Sequence, residues 1–218
     1  MAFWYHSDRS TALKDRQAES IALFQRYFKD TFGLDLYPHF GSLLGIVRNG
    51  DFIEWDHDFD MAFLSSKHTA KEVQQELVEV LEVLRDNGML IKYWRRPIRQ
   101  GGRTVQIEEF IKTDHQIADP EGQAYIWVRD VYIDLYIDWI DQEGKYHTCT
   151  VDVLGMEQEF FPTLTDGSLR GRDILIPRNA DVMLERIYGD WQTPNSNKVR
   201  GQGMTALRVA PFLITHQL

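Results

Sequence analysis

The stretch that most constrains the fold is Trp55-Asp56-His57-Asp58-Phe59-Asp60-Met61-Ala62-Phe63-Leu64, where aspartates stand at alternate positions within an apolar run. In an extended strand, residues two apart project from one face. Asp58 and Asp60 therefore aim their carboxylates at a single point, while Phe59, Met61 and Phe63 alternate with them. Unpaired charge is costly in an apolar neighbourhood, so these acids need a compensating partner. A divalent cation meets that need. Mg²⁺ takes hard oxygen ligands, commonly one or two carboxylates completed by phosphate and water, and requires neither histidine nor cysteine. We therefore expect a Mg²⁺ or Mn²⁺ site at Asp58 and Asp60.

Upstream lies Gly41-Ser42, at a turn between the short apolar segment Leu34 to Phe40 and a helical-looking Leu43 to Arg48. Gly41 lets backbone approach a phosphate, and the Ser42 hydroxyl and the N–H groups opening the helix donate to its oxygens.

The rest of the chain reads as α+β. Helical spacing runs from about Ser10 to Phe32, with Leu13, Ile21, Phe24 and Phe28 near one face, and from Thr69 to Asn87, with a Thr69-x-x-Glu72 capping box and Gly88 as terminator. A last helix begins at Asn179 and ends before Gly189. Period-two runs at Phe59 to Phe63, Leu90 to Trp94, Thr104 to Ile111, Tyr125 to Val128, Val131 to Ile140 and Tyr146 to Val153 predict an antiparallel or mixed sheet. We expect one domain over residues 1–218, with a motif-bearing core at about 34–194, an N-terminal helix and a C-terminal tail.

A formal net charge of −9 argues against nucleic-acid binding, which needs a surplus of Lys and Arg. Cys149 is the only cysteine, so an intrachain disulfide and a cysteine-rich zinc site are excluded. No stretch approaches the roughly 20 apolar residues that span a bilayer. A cytoplasmic protein is expected, with peripheral membrane contact open to the apolar 206–214 tail.

The order Gly-Ser, helix, Asp-x-Asp resembles the nucleotidyltransferase superfamily. The fuller pattern Gly41-Ser42-Leu43-Leu44-Gly45-x-x-Arg48 followed by Trp55-Asp56-x-Asp58-x-Asp60 resembles its LicD branch, which includes the fukutin-type proteins. A second match lies at Tyr188-Gly189-Asp190-Trp191-x-Thr193-Pro194, and two separated motifs in order are more specific than either alone. The resemblance covers roughly residues 34–194. It implies a nucleotidyltransferase-like mixed sheet flanked by helices. It also implies a phosphotransferase that moves phosphocholine or a polyol phosphate from a CDP-activated donor to a glycan hydroxyl.

Carried over residue by residue, the resemblance makes Asp58 and Asp60 metal ligands and calls for a third acid on a later strand. Asp134 fits best, because alternation puts Asp134 and Asp138 opposite Ile133, Leu135 and Ile137; Asp130 and Asp138 are the fallbacks. Gly41, Ser42, Arg48, Asp56, Tyr188, Asp190 and Trp191 are the expected donor-binding residues, with Arg48 as a bidentate phosphate clamp. His57 replaces the middle aspartate usual in the family, and points away from Asp56 and Asp58 on an alternating strand. Two rival readings keep the same motifs: a nucleotidyltransferase that uses an NTP and releases pyrophosphate, and a non-catalytic nucleotide-binding or assembly protein.

Overall fold

The computed structural model describes residues 10–54, 56, 58–92, 98–100, 103–105, 123–129, 131–148, 151–156 and 163–194. These form the helices α1 (Thr11–Phe32), α2 (Phe40–Asn49), α3 (Ala70–Asp86) and α4 (Ala180–Tyr188). The strands are β1 (Leu36–Pro38), β2 (Phe59–Leu64), β3 (Leu90–Lys92), β4 (Ile98–Gln100), β5 (Arg103–Val105), β6 (Gln123–Val128), β7 (Val131–Ile140), β8 (Tyr146–Thr148), β9 (Val151–Met156), β10 (Leu164–Leu169) and β11 (Arg172–Pro177). The fold is α+β, as expected.

The main sheet runs β1-β2-β7-β6-β3, with β8 beside β7 and β9 beside β8. It is mixed: β2 pairs with β7 in parallel, while β1 and β6 run antiparallel to their neighbours. The hairpins β10–β11 and β4–β5 stand as separate two-stranded sheets.

Helix boundaries follow local chemistry. Ser10 caps α1 by accepting the Leu13 N–H, and Gly33 ends it at φ +71°, a conformation glycine adopts without steric cost. Thr69 accepts the Glu72 N–H at the start of α3, and its hydroxyl donates to the Glu72 carboxylate at 2.7 Å. Asn179 occupies the N-cap position of α4 without a side-chain cap hydrogen bond. Val182 is exposed on this helix, whereas Met183, Leu184 and Ile187 are buried.

The two faces of the central strands bury different chemistry. On one face Phe59, Met61 and Phe63 of β2 join Ile133, Leu135 and Ile137 of β7 under Ile21, Phe24 and Phe28 of α1 and Val73, Leu77, Leu81 and Leu84 of α3. Each such side chain contributes up to about 1.5–3 kcal/mol by leaving water, so this face carries much of the stability. On the other face stand Asp60 and, from β7, Asp134, Tyr136 and Asp138. Helices α2 and α4 pack together over this side through Leu43 with Ala180 and Leu184, and through Phe40 with Ile187 and Tyr146.

Helix α2 is pressed against the segment that follows it. A Cβ at Gly45 would lie 2.7 Å from the Asp51 carbonyl oxygen and 3.1 Å from the Ile53 nitrogen, so only glycine permits this approach. The segment is fixed from outside by Arg170, at the tip of the β10–β11 hairpin. Its guanidinium donates to Asp15 at 2.8 Å and Asp51 at 2.6 Å, and its backbone N–H donates to the Gly50 carbonyl. Gln25 of α1 adds a second tie, donating to the carbonyls of Leu36 and Leu175 and accepting the Leu175 N–H, so it joins β1 to β11.

Candidate functional site

The site forms where β1 ends and α2 begins. The expected strand-to-helix turn is present, but the helix starts at Phe40 rather than Leu43, so Gly41 and Ser42 lie in its first turn. Phe40 sits at φ +39°, which costs a bulky L residue on the order of 1–3 kcal/mol.

This turn grips Asp60 at both main-chain and side-chain atoms. The His39 N–H donates to the Asp60 carbonyl at 3.0 Å, and the Asp60 N–H donates to Ser42 Oγ at 2.8 Å. The Gly41 N–H donates to Asp60 Oδ2 at 3.1 Å, and the Tyr136 hydroxyl approaches Oδ1 at 3.3 Å. Ser42 thus first serves as an acceptor that holds the strand. Its hydroxyl proton remains a donor toward any ligand.

The acids crowd together around Gly41. A side chain there would place its Cβ 2.9 Å from Asp56 Oδ2 and 3.4 Å from Asp60 Oδ2, so the glycine makes room for two carboxylates. Asp60 keeps some open surface, yet its carboxyl pKa is pushed up to about 7. Burial is the largest cause, and the charge of Asp58 adds to it. The nearby His39, the Tyr136 hydroxyl and the Gly41 N–H pull the other way without cancelling it.

Asp134 arrives from the neighbouring strand. In the parallel pairing of β2 with β7 it stands in register with Asp60, on a strand about 4.8 Å away, and it is 4% exposed. Asp138, on the same face, is four residues further on, roughly 13 Å from Asp134 along the strand. It is fully buried and accepts hydrogen bonds from the hydroxyls of Tyr37, at 2.6 Å, and Tyr146, while His39 Nε2 lies 3.3 Å away. It therefore belongs to a separate polar cluster rather than to the acids around Asp60. Asp130, the other fallback, lies outside the described residues, as do Trp55, His57, Cys149 and the 206–214 tail.

Tyr188 ends α4 beside the acids around Asp60. Its ring packs with both apolar groups under α2, and its phenol is pushed well up by burial and by the charges of Asp60 and Asp56. The other downstream residues are used differently. Trp191 packs against the Leu43, Ala180 and Leu184 group, and exposed Asp190 accepts the Thr193 N–H in a turn. Arg48 is seven residues along α2 from Gly41, about 10 Å by helical rise, and its buried Nε makes no hydrogen bond among the described residues.

The structure thus gathers Gly41, Ser42, Asp56, Asp58, Asp60 and Tyr188, sets Asp134 in register beside Asp60, and leaves Asp190 in an exposed turn and Trp191 packed on the Leu43 group. Sequence reasoning missed His39, Tyr37, Tyr136 and Tyr146. Tyr136 was visible in principle, since alternation puts it between Asp134 and Asp138 on one face.

Among the described residues, no three His, Cys, Asp or Glu side chains are already gathered tightly enough to hold a metal ion. The donor set nonetheless fits a hard divalent cation as a carboxylate pair. After burial, the charge of Asp58 is what raises the carboxyl pKa of Asp60, and a cation between the two would remove that repulsion.

No helix among the described residues is long and apolar enough to cross a membrane. No curated protein matches the chain. A family model described as LicD/FKTN/FKRP, nucleotidyltransferase domain, matches residues 33–179.

Proposed function

The chain belongs to the LicD/FKTN/FKRP nucleotidyltransferase-domain family, which points to phosphotransferase-type glycan modification, and from that premise we propose a specific reaction. The protein moves a phospho-substituent, phosphocholine or a polyol phosphate, from a CDP-activated donor to a glycan hydroxyl, in dependence on Mg²⁺ or Mn²⁺. The observation that carries this reading is the register of Asp60 with Asp134 across β2 and β7, beside Asp58 and under the N-terminus of α2.

Asp58 and Asp60 hold the cation, and Asp134 supports it from β7. The bound ion would supply charge neutralisation at the diphosphate and its leaving group. The first turn of α2, with the Ser42 hydroxyl, faces the phosphate oxygens. Asp56 and Tyr188 border the donor, and Arg48 supplies a cationic contact further along α2. The acceptor hydroxyl oxygen attacks the distal phosphorus, and its bond to the bridging oxygen breaks. CMP leaves with the electron pair, and a carboxylate of the cluster accepts the hydroxyl proton.

Product analysis with a panel of CDP-alcohols, CTP and a glycan acceptor tests the reading. Metal-dependent CMP release with phosphate-linked acceptor is the expected result. Pyrophosphate from CTP, with no CMP from any CDP-alcohol, assigns the protein as a nucleotidyltransferase. No turnover and no Mg²⁺-dependent thermal stabilisation by any of these nucleotides assigns a binding or assembly role.

A further inference from the structure

We infer that His39 is a positioning residue, a strut between the buried Asp138 cluster and the turn that aims Asp60. This rests on the reading of Asp60 as a metal ligand. Asp60 is addressed by three residues of a single turn: His39 through its N–H, Gly41 through its N–H and Ser42 through its hydroxyl oxygen. The conformation of residues 39–42 therefore decides where the Asp60 carboxylate sits.

That conformation does not hold itself, because Phe40 at φ +39° lies where bulky L residues are rare. Two contacts hold it. The Phe40 ring is packed with Tyr146 and Ile187 and meets Tyr136 edge-on at 5.1 Å. Its N–H donates to His39 Nδ1 at 2.8 Å. With Nδ1 accepting, the imidazole proton lies on Nε2, and that nitrogen reaches Asp138 Oδ2 at 3.3 Å. Tyr37 and Tyr146 in turn fix Asp138 through their hydroxyls.

The imidazole is thus oriented at both nitrogens, and it is 1% exposed. Ser, Thr, Asp and Asn are the usual N-cap residues. None has both an acceptor for the next N–H and a donor long enough to reach Asp138. Histidine here accepts the N–H of the first helical residue, where an ordinary cap engages the second or third, and it also ties the helix start to the sheet.

The test uses the full chain with His39→Ala, His39→Asn and Asp138→Asn. Asparagine at 39 keeps an acceptor for the Phe40 N–H but not the reach to Asp138, so graded effects are expected, with alanine the stronger. The first readout is amide hydrogen exchange at Gly41 and Asp60, corrected for global stability with the Leu135 amide of the core. Exchange should quicken at least about tenfold in His39→Ala and less in His39→Asn.

The second readout is Mn²⁺ affinity by electron paramagnetic resonance, which should fall about fivefold or more in His39→Ala, while Asp60→Asn abolishes binding. Wild-type exchange at both amides, with Mn²⁺ affinity unchanged while Asp60→Asn still abolishes it, overturns the inference. Should the wild-type chain bind no Mn²⁺, the metal reading falls, and the exchange data alone decide whether His39 sets the turn. If His39→Ala does not fold, His39→Asn and Asp138→Asn carry both measurements, and wild-type behaviour in both overturns the strut.

Discussion

Asp60 and Asp138 stand on the same face of neighbouring strands, and the protein treats them in opposite ways. Asp138 receives two tyrosine hydroxyls and faces an imidazole, all buried with it. Asp60 receives one peptide N–H and a longer contact from Tyr136, and has Asp58 for company, with Asp56 close by at Gly41. A buried charge surrounded by donors is stable as it is, whereas one set among other acids is left needing a cation. The first carboxylate is part of the frame, and the second belongs to the proposed chemistry.

Exchange of each acid for its amide separates the two most sharply. Asp58→Asn and Asp60→Asn should each lower metal-dependent CMP release by about a hundredfold or more with the fold retained, since volume is kept and a charged ligand is lost. Asp138→Asn should instead lower unfolding stability by about 1–3 kcal/mol, because it weakens three buried partnerships at once. Urea melts and turnover on all three variants check this. A catalytically dead but fully stable Asp138→Asn breaks the comparison.

Backbone crowding gives the next effect. Gly41→Ala puts a methyl group into the space shared by Asp56 and Asp60, and should reduce turnover by about tenfold or more. Gly45→Ala meets the Asp51 carbonyl instead, and should lower stability by about 1–3 kcal/mol. Parallel kinetics and melts show whether the two glycines divide as function and frame.

A third expectation concerns pH. The Asp60 carboxyl has a pKa of about 7 folded against 3.8 as its reference, so the folded state binds the extra proton between these values. Stability from this group is fully present below the reference value and falls as pH rises toward and through about 7. Mg²⁺ should therefore raise the melting temperature more at pH 8 than at pH 5.5. Asp60→Asn should flatten both the decline and the Mg²⁺ effect, and an equal Mg²⁺ shift at both pH values counts against the carboxylate pair.

The smallest effects lie in the downstream box. Tyr188→Phe should weaken donor binding about threefold, as expected for one hydroxyl contact, whereas Asp190→Ala should change it by less than about twofold. Binding of a CDP-alcohol by calorimetry reads both. A larger loss in Asp190→Ala would move the donor toward the exposed turn.

The acid pair is legible in sequence only in part: the period of two places Asp60 within β2, whereas Asp58 lies in the bend before Phe59, and its nearness to Asp60 shows in the charge it exerts there rather than in strand alternation. Asp134 is legible from the same period, but its partnership with Asp60 is not, since parallel pairing of β2 with β7 joins segments far apart in the chain. The β10–β11 hairpin escaped notice because Thr165-Asp166-Gly167-Ser168 has no apolar alternation. Its glycine is explained only by Ile176, whose side chain a Cβ at Gly167 would meet at 2.8 Å. His39 is one of seven histidines, and no motif in the sequence sets it apart. Its importance depends on Asp138 and a strained neighbour, neither of which a spacing rule detects.

Arg170 has a consequence for the newly made chain. It holds Asp15 and Asp51 together, so beside a longer Lys14–Asp51 contact the start of the acid-bearing segment is secured by a residue more than a hundred positions later. Asp134, too, must be synthesised before it can stand beside Asp60. Contacts of such long sequence separation form late, and domains emerge from the ribosome N-terminus first. A ribosome-bound chain that stops short of residue 170 carries all three acids, yet lacks the clasp that sets them, so the proposed site takes its geometry only once residue 170 has joined the chain.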